Sequence, residues 1–238
     1  MGSEMKHKKI KTMKKILIVL LAALLVLGAV GCRKAEPEEE VLMDAPLSGG
    51  WTPAADYEVS EARKAVFDKG TAELDINYAP LAYLGSQVVA GTNHVFLSRG
   101  IGLYALIYVY ESLQGDVQLM NIAALPIIPQ EDGTLAAPEE GLMGGWSYAE
   151  DPAVTDEMQE RLAKALEDMV GATYVPVANL GVQVVAGLNR CLLCQITPLV
   201  PDAEPHYALV YVYEKVDGGA ELSQVIDLDV GAFCTYGA

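Results

Sequence analysis

Histidine is scarce in this chain, three in 238 residues. Beyond residue 31 only His94 and His206 remain, in different halves of the sequence, so no zinc site of the usual four-ligand kind is expected. Positive charge is scarce too. Residues 1–31 hold six lysines and one glutamate, which leaves 10 of the 16 basic and 31 of the 32 acidic residues, a formal charge of −21, for the rest. A surface that negative repels nucleic acid and anionic lipid headgroups. No glycine-rich phosphate loop follows a strand-like run, no paired carboxylates stand out from the acidic background, and no base lies near a cysteine. Neither an enzyme nor a cofactor is expected.

What is present begins with an address. Six lysines (Lys6, Lys8, Lys9, Lys11, Lys14, Lys15) lead into an apolar run over 16–30, short for a membrane-spanning helix and right for the core of a signal peptide. The run closes on Ala29-Val30-Gly31-Cys32. Small residues before a cysteine resemble the bacterial lipobox, which implies cleavage of residues 1–31, lipidation of Cys32, and export to the cell surface or outer membrane. An ordinary cleaved signal with an incidental cysteine is the alternative. Residues 32–47 contain proline and an acidic run without hydrophobic periodicity, as a flexible spacer does.

The remainder is written twice. LGSQVVAGTN at 84–93 returns as LGVQVVAGLN at 180–189, SGGW at 48–51 as MGGW at 143–146, and ALIYVYE at 105–111 as ALVYVYE at 208–214. The offsets are 95, 96 and 103 residues, the last stretched by the proline-rich segment TPLVPDAEP at 197–205. Two units of ordinary small-domain size result, 48–130 and 143–238, joined by a linker at 131–142. In the second unit Thr155 caps a helix with Met158, Leu162, Ala165, Leu166 and Met169 at helical spacing and Gly171 at its end; in the first, Ser60 precedes Ala62, Val66, Phe67 and Leu74. Gly70 weakens the first helix by about 1 kcal/mol relative to alanine. Four strand-like runs follow each helix. The fold class is therefore α+β, each unit a helix packed on a four-to-five-stranded antiparallel sheet.

In this order, a glycine pair before the helix, QVVAG ahead of a strand, and a second hairpin (SLQG, 112–115), each unit resembles a cystatin, specifically the single-domain stefins that inhibit papain-like cysteine proteases. The resemblance implies two tandem cystatin-like domains acting as a reversible protease inhibitor, with a three-part wedge filling the active-site cleft. Its trunk would comprise Gly49 and Gly50 in the first unit, and Leu142, Met143, Gly144 and Gly145 in the second. The first hairpin would be Gln87, Val88, Val89, Ala90 and Gly91, matched by Gln183, Val184, Val185, Ala186 and Gly187. Leu113 and Gln114, and Val216, would supply the second hairpin. Partners would be papain-like proteases and the membrane through the lipid, with the chain itself a monomer. A surface adhesion or scaffold protein without inhibitory activity is the alternative from another class.

Three cysteines remain after Cys32. Cys191 and Cys194 lie three apart on one strand and so face opposite sides; a bridge from either to Cys234 and buried free thiols are both compatible with the sequence. Arg99 and Gln195 mark that strand's outer face, which puts Cys194 under the helix. Tyr108 and Tyr110, with Tyr211 and Tyr213, form a stripe expected on a half-exposed sheet face. Trp51 and Trp146 serve as packing anchors or as added contacts at the wedge.

Overall fold

The computed structural model describes residues 49–138 and 144–234. The leader, Cys32, the spacer, Leu142 and Met143 lie outside the described residues. Ser60 Oγ accepts from the Arg63 amide and Thr155 Oγ1 from the Met158 amide, so each repeat opens its helix on a side-chain cap. The helices are α1 (Glu61–Thr71) and α2 (Asp156–Ala165). In α2 the backbone leaves helical geometry at Leu166, five residues before the glycine expected to end it, and Met169 is exposed. Gly70 has a positive reason to be glycine. A Cβ there would come within 2.6 Å of Val109 Cγ1, because α1 lies directly on the sheet.

The first repeat folds into β1 (Trp51–Pro53), β2 (Ala79–Val89), β3 (Gly91–Arg99), β4 (Tyr104–Ser112) and β5 (Val117–Ala124), an antiparallel sheet in that order. A small hairpin of β6 (Ile128–Pro129) and β7 (Leu135–Ala136) follows, reaching into the segment expected to be linker. The second repeat gives β8 (Trp146–Tyr148), β9 (Ala172–Val185), β10 (Gly187–Pro198), β11 (His206–Glu214) and β12 (Ala220–Asp227), again in chain order across the sheet. The architecture is thus α+β, mostly antiparallel sheet.

Each helix covers one face of its own sheet. Phe67 packs with Tyr83, Phe96, Ile107 and Val109, and Leu162 with Leu192, Cys194, Ile196 and Val210. The opposite faces meet each other. Leu84, Val95, Leu97, Tyr104, Leu106 and Tyr108 share a single core with Leu180, Cys191, Leu193, Tyr207, Leu209 and Tyr211. Strands buried on both faces need apolar residues at every position, which explains ALIYVYE and ALVYVYE. It also corrects the expectation for half of the tyrosine stripe: Tyr108 is completely buried and Tyr211 nearly so, because each sheet covers the other's open face, while Tyr110 and Tyr213 stay half-buried.

The contact between sheets is reciprocal, as in a two-fold dimer. Tyr104 donates to the Ala149 carbonyl at 2.9 Å, and its repeat partner Tyr207 to the Ala54 carbonyl at 3.0 Å. Tyr108 donates to Val230 and Tyr211 to Ile127. Arg99 and Gln195, expected on an outer face, point into this interface, Arg99 Nη1 onto the Ala149 carbonyl and Gln195 Nε2 onto that of Ala54. Cys194 lies under α2 as expected, while Cys191 lies between the sheets. Both are free thiols, as is Cys234, and burial pushes Cys194 up to about 12 and Cys191 higher still.

Candidate functional site

Pairing brings the three sequence segments to one end of each sheet. Trp51 sits opposite Gln87, Val89 opposite Gly91, and Gly91 opposite Ser112, so the chain entering β1, the β2–β3 hairpin and the β4–β5 hairpin form a row. The second repeat has the same row, with Trp146 opposite Gln183, Val185 opposite Gly187, and β11 alongside β10. Among the predicted residues described, none is displaced from its row.

Side chains tie the row together. Gln87 Nε2 donates to the Gly49 carbonyl, and Asn93 Nδ2 donates to Gln87 Oε1 at 2.7 Å. Tyr110 then holds the tip by donating to the Ala90 carbonyl at 2.5 Å. The second repeat reproduces every link: Gln183 to Gly144 at 3.1 Å, Asn189 to Gln183 at 2.8 Å, Tyr213 to Ala186 at 2.6 Å. Asn93, Asn189, Tyr110 and Tyr213 are bracing residues that the sequence reasoning did not assign. A signal was available, since each asparagine is the last letter of the repeated LGxQVVAGxN.

The glycines of the tip are required by geometry. Gly91 and Gly187 have φ of +137° and +133°, and a Cβ on either would overlap the carbonyl oxygen of Glu111 or Glu214. The valines beside them are left in water. Val88 is 72% exposed and Val184 70%, with Val89 and Val185 about 40% each; Leu113 and Val216, at the second hairpins, exceed 80%. Apolar side chains at that exposure lose free energy in solvent and regain it only when covered, about 1.5–3 kcal/mol for each one fully buried. Trp51 and Trp146 stack edge-on against Tyr108 and Tyr211 at 5.5 and 5.6 Å, half-buried, which makes them packing anchors for the row.

The second hairpins differ in chemistry. In the first repeat Ser112 Oγ accepts from the amides of Gln114 and Asp116, and Leu113 projects. In the second, Asp217 caps the Gly219 amide at 2.9 Å and Lys215 pairs with Glu221. Beneath the rows the supports differ as well. Arg190 grips Glu214 through Nε at 2.6 Å and Nη2 at 3.2 Å and reaches Asn179 through Nη1. The first repeat puts His94 at the corresponding place, its Nδ1 3.0 Å from Tyr83 Oη and its Nε2 3.4 Å from Glu111. Burial holds the His94 ring below the ordinary histidine range, against the pull of Glu111. One row therefore stands on an arginine–glutamate ion pair and the other on a histidine whose proton is disfavoured by burial.

Among the described residues no cluster of histidine, cysteine and carboxylate has the makings of a metal site. No protein-family model matches the chain, and no curated protein matches it in sequence.

Proposed function

We propose that the chain is a reversible inhibitor of papain-like cysteine proteases, exported and tethered by lipid on Cys32, in which each repeat is a cystatin-like domain that blocks an active-site cleft with its braced row. The observation that carries this reading is the conjunction, found in both repeats, of trunk, QVVAG hairpin and second hairpin in one hydrogen-bonded row with exposed apolar tips. A helix followed by a four-strand meander in each repeat supports the cystatin-like assignment.

The chemistry is binding. Val88, Val184, Leu113 and Val216 give up water on entering an apolar cleft, and the Gln–Asn–Tyr bracing fixes the row beforehand, so little ordering entropy is lost on association. Ala90 and Ala186 keep the tips narrow, with their carbonyls held inward by tyrosine. The cleft is filled while no peptide bond is offered in substrate geometry. Cys191 and Cys194, buried with raised thiol pKa values, have no part in it.

The test is titration of papain and of a cathepsin with the purified chain. Inhibition that is reversed by dilution is expected. A chain that binds neither enzyme sinks the reading and leaves a surface adhesion or scaffold role as the better account.

A further inference from the structure

Each sheet has a tip end, carrying the row, and a far end, where the β3–β4 or β10–β11 turn lies. Tyr104 stands at the far end of the first sheet, opposite Arg99. Its partner Ala149 lies level with Leu180, only five residues from Val185 at the second tip. Tyr108 stands four residues closer to the first tip, yet it bonds Val230, past the end of β12 at the far end of the second sheet. Moving toward one tip therefore moves away from the other. The reverse pairs, Tyr207 with Ala54 and Tyr211 with Ile127, run the same way, and Gly231 lies against Trp51 at the first tip. The sheets are stacked head to tail, and the two rows leave the body at opposite ends.

The separation follows from strand geometry. At about 3.3 Å per residue, Tyr104 lies roughly 26 Å from Ser112 and Leu180 roughly 17 Å from Val185, so the tips are on the order of 40 Å apart along the strands. That exceeds the roughly 30 Å diameter of a small domain. A partner seated on one tip therefore approaches from the direction opposite to a partner on the other, and neither covers the other's site. The shared core keeps this disposition fixed, where a flexible linker would have let the rows fold toward each other.

Resting on the inhibitory reading above, we propose that one chain holds two papain-like protease molecules at the same time, one at each end. The sites are independent. Because they face apart on a rigid body, a monomeric protease gains no avidity from the second site, and the duplication serves capacity and the joining of two partners.

The experiment titrates active papain with the full chain in detergent, at concentrations far above the dissociation constants, and follows the complex by native mass spectrometry. Activity should vanish at half an equivalent of chain per protease, with a species of one chain and two proteases. Val88→Asp alone and Val184→Asp alone should each move the end point to one equivalent, and the pair together should abolish inhibition. Melting curves come first; where a valine variant melts below wild type, Leu113→Asp or Val216→Asp replaces it at the same end. An end point of one equivalent for wild type, with only a one-to-one species, overturns simultaneous binding while leaving inhibition intact. Absence of inhibition at every ratio overturns the inhibitory reading itself, and this inference with it.

Discussion

Tyr108 donates its hydroxyl hydrogen to the carbonyl oxygen of Val230, 122 residues further along the chain, at 2.5 Å. Tyr211 returns the bond to Ile127 at 3.0 Å. Both phenols are pushed up by burial and stay protonated donors at any physiological pH. Through such pairs each repeat closes the open face of the other.

The first prediction follows from that closure. Tyr108→Phe leaves the Val230 carbonyl without this donor and should cost about 1–3 kcal/mol. Because the core is shared, denaturant should unfold both repeats in one transition, in wild type and in the variant alike. Two separate transitions, read by tryptophan fluorescence and circular dichroism, would show that the repeats fold independently.

A second prediction concerns the bracing. Gln87→Ala should weaken inhibition at the first row and Gln183→Ala at the second, since each frees the trunk carbonyl and leaves Asn93 or Asn189 to find another acceptor. Both glutamines are half-buried, and Asn93 is buried, so the melting temperature should fall modestly, more for Gln87→Ala than for Gln183→Ala, while affinity falls about tenfold, or about 1.4 kcal/mol. Unchanged inhibition constants would show that the trunk needs no brace.

Glycine at the tip gives a contrasting outcome. Gly91→Ala or Gly187→Ala forces a Cβ onto a backbone oxygen at positive φ, and about 2 kcal/mol or more of stability should be lost. Gly49→Ala also sits at positive φ but meets nothing within 4 Å, so its cost should be smaller. Urea midpoints for the three variants check the ranking. Equal losses would mean that φ strain alone, and not the close approach of Glu111 and Glu214, decides.

The fourth prediction is a pH effect confined to the first row. His94 faces Tyr83, Glu111 and, across the tyrosine ring, Arg63. Its folded-state pKa is depressed, chiefly by burial. Above the unfolded value of about 6.5 the ring is neutral in both states and contributes nothing to the pH dependence. As pH falls below that, the unfolded chain takes up the proton first and stability declines until the folded ring also titrates. The urea midpoint of wild type should therefore drop more between pH 7.5 and 5 than that of His94→Gln. Parallel curves would remove the effect.

Much of this was legible beforehand. The repeat, the caps at Ser60 and Thr155, the hairpin tips at Ala90 and Ala186, and the alternation that put Cys194 under its helix all follow from local rules of spacing and capping. What stayed hidden was where the second face of each sheet goes. Residues 104–109 are apolar at every position, as burial on both faces requires, yet nothing within β4 says that a surface 100 residues away supplies the second cover. Arg99 and Gln195 were misplaced for the same reason: a polar side chain marks solvent only if no partner carbonyl waits opposite, and Ala149 and Ala54 supply those carbonyls.

The sequence by itself determined the helix and the four-strand run of each repeat, their duplication, and the glycine, QVVAG and second-hairpin residues of each row, because capping, strand patterning and turn formation act over a few residues and are written in neighbouring letters. Tertiary structure alone decided that the two sheets share a core, and that they do so head to tail. That choice depends on how two apolar faces fit and where each tyrosine hydroxyl finds a carbonyl, quantities that exist only once both sheets are formed. It is the same choice that sends the two rows to opposite ends.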